Sequence, residues 1–211
     1  MGKKEKKVKK HDTFIDMTAM SDMTVLLLTF FMLTATFLPL EPVQVNAPGS
    51  VSPTMVPELN SMTILIDPSG KTYFNMSNVT TEEKEQKGEV LLRVGQQYGV
   101  PFTEKQVETF KNDVTHVGVP IKMMPAFLDM DASLRGEEIR KHGVPMDSTD
   151  NQLAMWVRVA RSVGGKDMTL ALKADRATEF PKVDKVMKLL VDIKEARYAL
   201  VTSLRGMPEG F

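Results

Sequence analysis

The sequence lacks cysteine and has few residues of the kinds that most often carry catalysis or bind metals. Without cysteine there is no disulfide framework and no thiol nucleophile. The three histidines, His11, His116 and His142, are far apart, and their spacing matches no metal-binding motif. No G-x-S-x-G elbow occurs, and "GGKD" at Gly164 is too short for a phosphate loop. The chain is therefore predicted not to be an enzyme and to bind no metal or cofactor.

Positive charge is missing from a long stretch of the chain, although the overall charge is balanced. Lysine plus arginine and aspartate plus glutamate number 27 each, which predicts no nucleic-acid partner. Six lysines lie in the first ten residues, and the next basic residue after the apolar run is Lys71. Within this stretch Met23–Leu40 contains 18 uncharged residues, close to the roughly 20 that a helix needs to cross a membrane. The sequence predicts one transmembrane helix at residues 15–40.

The flanks of this helix predict its orientation. A basic tail at residues 1–14 favours a cytoplasmic N-terminus, so the rest of the chain is expected on the other side of the membrane. A cleaved signal peptide also begins basic and then turns apolar, but its apolar region is shorter and a small-x-small cleavage site follows. Here Ala47 is followed by Pro48, which makes a poor cleavage site. We therefore expect an uncleaved anchor.

Residues 41–60 are rich in proline and predict an extended linker rather than a helix. Within this linker the segment Val43–Pro48 has the alternation of a short strand. A strand of this kind can add to the edge of a sheet in a partner or in a second protomer. The alternative is an inert spacer. The residues that would take part in strand pairing are Val43, Val45, Asn46 and Pro48.

Residues 61–211 have the pattern of an α+β domain. "MTILI" and "TYFNM" flank the turn "DPSGK" and predict a hairpin. A helix that stops at Gly99 and a second one capped by Thr103 begin a mainly helical insertion at about residues 80–148.

The C-terminal part of this domain is predicted to alternate helices and strands. "STDNQLAMWVRVARSVGG" predicts a helix capped by Ser148 or Thr149, with Trp156 on its buried face. The strand "DMTLALKAD", a helix with Pro181 in its first turn, and the strand "RYALVTSL" follow. We expect a small sheet with helices on one face.

Asp22 stands where the apolar run begins, and two interpretations of it are open. In the first, Ser21 and Asp22 cap a helix that starts at the membrane surface. In the second, the helix starts nearer Ile15 and carries the acid into the membrane, at a cost of about 2.5–3.5 kcal/mol unless protein or water receives it. Helical geometry places Thr18 and Thr29 on the same face as Asp22, and this polar stripe favours contact with protein.

The stretch "IDMTAMSDMTVLLLTFFM" resembles the N-terminal signature of the ExbD/TolR family of inner-membrane transport proteins. Asp16, Thr18 and Asp22 match its polar positions, and Ala19 replaces the usual proline. "VQVNAP" is similar to the family's segment beyond the membrane, and "MTILIDPSGKTYFN" to its first hairpin. "LALKADRATEFPKVDKVMKLL" is similar to its strand–helix unit, with the pair Ala174 and Asp175. Residues 80–148 look like an insertion that typical short members lack.

This resemblance implies a role for each polar residue of the helix. Asp22 corresponds to the family's proton-carrying aspartate, so protons would take the place of a cofactor. Thr18 and Thr29 would be hydrogen-bond partners of its carboxyl group, and Asp16 would act at the cytoplasmic end.

The resemblance also implies partners and a location. Family members form a dimer inside a ring, expected to be a pentamer, of a multi-spanning ExbB/TolQ-type protein in the bacterial inner membrane. The domain beyond the membrane would lie in the periplasm and contact a TonB-type protein that energises outer-membrane import. Two alternatives are a TolR-like role in envelope integrity and a membrane-tethered binding domain with no proton step.

Overall fold

The computed structural model describes residues 17–34, 45–47, 49–50, 59–147, 150–201 and 203–204. The chain divides into two compact units, Met1–Pro39 and Leu40–Phe211. In the first unit the described residues form one helix, α1 (Met17–Thr34). The predicted bounds of the transmembrane helix, 15 and 40, lie outside the described residues.

The strands of the second unit form two sheets. In chain order they are β1 (Gly49–Ser50), β2 (Ser61–Ile66), β3 (Thr72–Met76), β4 (Thr169–Ala174), β5 (Ala199–Leu200) and β6 (Ser203–Leu204). The larger sheet has the spatial order β3-β2-β4-β5, with β2 antiparallel to β3 and parallel to β4, and β4 parallel to β5. In the smaller sheet β1 pairs in parallel with β6. The predicted hairpin is confirmed as β2 and β3, whereas the predicted last strand is divided between β5 and β6.

The helices of the second unit occupy the connections between these strands. They are α2 (Thr81–Tyr98), α3 (Glu104–Asn112), α4 (Met124–Asp129), α5 (Ala132–His142), α6 (Gln152–Gly164) and α7 (Phe180–Asp192), with a 3₁₀ turn at Ile121–Met123. Four of the six lie between β3 and α6, so the segment predicted as a helical insertion is mainly helical. Its bounds relative to other family members stay a prediction.

Helix ends follow the chemistry of their capping residues. Thr80 and Glu83 form a reciprocal capping box at the start of α2, and Gly99 ends this helix at φ +66°. Thr103 forms the corresponding box at α3, as predicted. The predicted cap of α6 is wrong, because the side chain of Asn151 accepts the bond from the Ala154 amide. Ser148 and Thr149 lie before this cap and outside the described residues.

The core lies where the sheet meets α2 and α6. Trp156 of α6 is fully buried, and its ring stacks on Phe74 of β3 at 5.9 Å and on Phe110 of α3 at 6.1 Å. β4 lies next to β2 in the sheet, and β5 lies next to β4 on the far side, so the two parallel connections step in the same direction. Connections between parallel strands are right-handed, and this places α6, before β4, and α7, before β5, on the same face of the sheet. A bidentate contact between Arg161 of α6 and Glu195, just beyond α7, joins the two helices. The predicted α+β class, a small sheet with helices, is confirmed.

Candidate functional site: the apolar helix and the linker anchor

The helix α1 has the length and composition of a membrane span. Its 18 residues rise about 27 Å at 1.5 Å per residue. Every one of its side chains is exposed, and Asp22 is its one charged residue. Among the described residues it is the one helix long and apolar enough to cross a membrane. The apolar side chains of α1 are therefore exposed along the whole helix.

Asp22 lies inside this helix rather than at its start. Helical structure already holds from Met17, so Asp22 is the sixth helical residue, more than one turn from the first described one. The interpretation of Ser21 and Asp22 as the N-cap is therefore wrong. Within the described residues no donor or cation contacts the Asp22 carboxyl group.

Three threonines of α1, Thr24, Thr29 and Thr34, bond to carbonyls of their own helix. The Thr29 hydroxyl donates to the Leu26 carbonyl at 2.9 Å, and the Thr24 hydroxyl donates to the carbonyls of Ser21 and Met20. These bonds satisfy the hydroxyl protons and leave each oxygen with further accepting capacity. In the structure Thr29 therefore does not donate to Asp22, and its predicted supporting role stays a prediction. Thr18 is one turn before Asp22 on the same face, and Asp16 lies outside the described residues.

The linker is anchored to the folded domain at residues 45–47. Val45 is 7 % exposed and belongs to the domain core. The Asn46 amide donates to a carboxylate oxygen of Asp175 at 2.8 Å, and the Arg176 amide donates to the Asn46 carbonyl at 2.8 Å. A few residues later β1 pairs with β6. The linker is thus not an unattached spacer at these positions.

Asp175 organises this anchor from the end of β4. Besides accepting the Asn46 amide, its carboxylate accepts the Ala177 amide at 2.8 Å, while its own amide donates to the Ile66 carbonyl. The sequence indicated the pair Ala174 and Asp175 but gave the acid no role. An acid placed between a buried strand and a following helix is a local signal for such a turn. Its long-range partner has no signal in the sequence.

The predicted pairing segment is only partly visible. Val43 and Pro48 lie outside the described residues, and residues 45–47 are not in a strand. Their contacts are with their own domain. Pairing of this segment with a partner or a second protomer stays a prediction.

A second polar cluster is buried between β3, β4 and the helical segment. Lys87 of α2 is 3 % exposed, donates to the Val114 carbonyl and lies 5.3 Å from the centre of the Phe110 ring. His116 is also 3 % exposed, and its Nδ1 has no hydrogen-bond partner. Burial, and then the charges of Lys173 and Lys87, lower the pKa of His116 to about 4. Burial and nearby Lys84 lower the pKa of Lys87 to about 8. Sequence analysis did not single out this cluster.

The described residues contain no cluster of His, Cys, Asp and Glu that could hold a metal ion. The main features of the structure are thus an apolar helix with one internal acid and a domain that binds residues 45–47 of the linker. These features define a class: a protein with one candidate membrane-spanning helix near its N-terminus and an α+β domain.

Comparison with known proteins gives the family within this class. The family model described as biopolymer transport protein ExbD/TolR matches residues 8–205. This match covers nearly the whole chain, and the chain belongs to the ExbD/TolR family. No curated protein and no solved structure matches the chain.

Membership supports a set of general statements. The chain is a transport subunit of the energising type, and its family consists of transport subunits rather than enzymes. Together with α1, membership indicates a single-pass protein of the inner membrane. Proteins of this family work with ExbB/TolQ-type partners in membrane complexes.

Proposed function

We propose that this chain is a proton-driven motor subunit and that Asp22 carries the proton. The observation that carries the proposal is the placement of one carboxyl group inside an otherwise uncharged, fully exposed apolar helix. An acid within a membrane span is costly unless protein or water receives it, so such residues are functional by default. The ring of an ExbB/TolQ-type partner supplies the receiving groups in this proposal.

The mechanism depends on the two charge states of Asp22. When neutral, the carboxyl group passes along an apolar wall of the ring, and when ionised it stays opposite polar groups. One charge moved through the membrane potential yields about 2.3 kcal/mol per 100 mV. Thr18 and Thr29 offer hydroxyl oxygens on the same face, and Asp16 stands on the cytoplasmic side. The helices of two copies of this chain sit within a pentameric ring in this arrangement.

The domain transmits the resulting movement on the periplasmic side. The contacts of Asn46 with Asp175 and Arg176 support this step, because they fix the entering chain to the end of β4. Movement of the membrane helix then reaches the sheet through the contacts of Asn46 with Asp175 and Arg176. In this proposal a TonB-type protein receives it and energises outer-membrane import. A TolR-like role uses the same proton step with envelope integrity as its output.

The test is Asp22→Asn, which keeps the size of the side chain and removes its charge cycle. We expect loss of energy-dependent uptake, with normal membrane level and normal copurification of the ring protein. Asp22→Glu is the matched control, because it keeps the carboxyl group and is expected to retain partial activity. Uptake and detergent resistance are measured in the same strains, and the phenotype that is lost identifies the ExbD-like or TolR-like output.

A second variant tests the tether alternative directly. Residues 17–34 are replaced by an apolar helix of equal length without an acid, and membrane insertion is checked by fractionation. Wild-type activity of this replacement, or of Asp22→Asn, would show that the helix is only an anchor. Loss of ring copurification in the Asn variant would instead assign the residue to assembly.

A further inference from the structure

A groove runs along the surface between α2 and α3, in the helical segment that the proposed proton step does not use. Two adjoining depressions of about 590 and 440 Å³ form it, and both are lined by Glu85, Leu92, Val107 and Lys111. Its floor is apolar, because Leu92 is 41 % exposed there and Val107 and Phe102 are half-buried. We call this surface the α2–α3 groove.

Both walls of the α2–α3 groove are acidic. The exposed glutamates that line it are Glu82, Glu85, Glu89, Glu104 and Glu108. The first three belong to α2 and the last two to α3. Lys111 is the one basic residue among the lining residues; it pairs with Glu85, and Arg93 of α2 pairs with Glu89. Glu82, Glu104 and Glu108 have no ion pair within the described residues, so the groove carries net negative charge although the whole chain is neutral.

The spacing of these carboxylates argues against a metal ion as the ligand. A calcium ion needs six to eight oxygen ligands at about 2.3–2.6 Å, which requires convergent carboxylates. No group of acids in the described part of the chain converges in this way. Charges spread along two walls instead complement a ligand whose own positive charges are spread along its length.

Lys111 illustrates how a basic side chain fits this surface. From α3 its stem lies over α2 at Gly88, a position where an added Cβ would collide with that stem. Its ammonium group reaches Glu85 at 2.6 Å. The stem of Lys111 thus packs on α2 while its charge meets a glutamate of the wall, which is the usual behaviour of amphipathic side chains.

We propose that the α2–α3 groove is the docking site for a basic amphipathic segment of a partner protein. Lysines or arginines of this segment pair with glutamates on both walls, and an apolar side chain covers Leu92. An amphipathic helix that lays its apolar face in a hydrophobic groove is a common mode of peptide recognition. Electrostatic complementarity at the rim gives speed of association and selectivity.

The first experiment measures binding of synthetic peptides to the full-length protein in nanodiscs of zwitterionic lipid, with empty nanodiscs as the blank. The probe is an amphipathic helical peptide with a leucine stripe flanked by lysines, and its counterpart has glutamate at every lysine position. We expect saturable binding of the lysine peptide that weakens as salt rises, and no binding of the glutamate peptide.

Variants locate this binding. Glu82→Gln, Glu104→Gln and Glu108→Gln combined should weaken binding roughly tenfold, since they remove three wall charges. Leu92→Ser should also weaken it by roughly tenfold, because it removes the exposed apolar contact. The matched control combines Glu137→Gln and Asp167→Asn, two exposed acids outside the groove, and should leave binding unchanged. Equal binding of both peptides, unchanged binding by the groove variants, or a requirement for calcium would overturn the proposal.

The second experiment identifies the natural occupant in membranes. A photoreactive amino acid replaces Leu92, and the matched control replaces Leu134, which is 55 % exposed on α5. We expect a cross-link at the first position only, to a partner segment that mass spectrometry shows to be rich in lysine or arginine. A cross-link to a second copy of this chain, to a segment without basic residues, or equally from both positions would contradict the proposal.

Discussion

The helix α1 and the folded domain use similar apolar residues in opposite ways. In the domain, Phe74, Phe110 and Trp156 are at most 2 % exposed, and both phenylalanine rings stack on Trp156. In α1, Phe30 and Phe31 are each 60 % exposed, and no residue of the helix is buried. The apolar side chains of the domain are stabilised by burial against one another, whereas those of α1 gain such stabilisation only from what surrounds the helix.

The acids of the two regions differ in the same way. Glu83 in the domain accepts bonds from the amides of Asn60, Val79 and Thr80 and from the Ser77 hydroxyl. Burial alone would raise the pKa of Glu83, but these donors together lower it below its ordinary value. Asp22 has no such donors within the described residues. The domain supplies the donors of Glu83, whereas no described residue supplies one to Asp22.

The largest expected effect contrasts the two apolar surfaces. Trp156→Ala should lower the free energy of unfolding of the domain by about 3–5 kcal/mol, because it leaves a cavity between two stacked rings. Phe31→Ala in α1 should leave domain unfolding unchanged. Urea titrations of the full chain in detergent, followed by circular dichroism since Trp156 is the one tryptophan, measure both. Equal losses from the two variants would mean that the regions are not independent.

Much of this domain could be predicted because its signals are local. The hairpin is defined by "DPSGK", and the caps Thr80 and Thr103 each act on an amide three residues away. The cap of α6 was misplaced because Ser148, Thr149 and Asn151 are all capping types, and only tertiary packing selects among them. The split between β5 and β6 likewise depends on which strands are available to pair.

The candidate site was predictable only in its local part. Asp22 was evident because it stands where the apolar run begins, and helical spacing placed it on a face with Thr18. The bond from Asn46 to Asp175 joins residues 129 positions apart, and no periodicity reports such a contact. The burial of Lys87 and His116 was equally hidden, because charged residues in a polar helical segment are normally exposed.

The next prediction is that acid lowers the stability of the folded domain through His116, a residue that α1 does not contain. His116 is neutral in the folded domain with a pKa of about 4, and unfolding returns it toward its ordinary value near 6.5. The unfolded state therefore binds more protons between these values, so stability falls as pH drops from 6.5 to 4. The loss is at most about 3 kcal/mol. The positive charges of Lys173 and Lys87 near His116 add to the cost of its protonation.

The measurement compares thermal unfolding of the wild type and His116→Gln from pH 4 to pH 8. The variant should lose less stability toward acid, because it removes the titrating group. His142→Gln, at an exposed histidine on α5 that pairs with Glu138, is the control and should change the slope less than His116→Gln does, because that histidine is not buried. The deciding quantity is the difference between each variant and the wild type in the slope of stability against pH. The same carboxyl groups are present in all three proteins, so they do not account for such a difference. Parallel curves for His116→Gln and the wild type would assign the acid sensitivity to other groups.

The smallest effect lies where the linker enters the domain. Asp175→Ala leaves the amides of Asn46 and Ala177 without their acceptor, which should lower the free energy of unfolding by about 1–3 kcal/mol. Hydrogen exchange at the Asn46 and Arg176 amides should accelerate, while exchange within α2 stays unchanged. Asp167→Asn, at an exposed acid before β4, is the control. If the Asn46 amide remains protected from exchange in Asp175→Ala, burial of Val45 holds the linker instead. The carboxylate then has no part in fixing the linker to the domain.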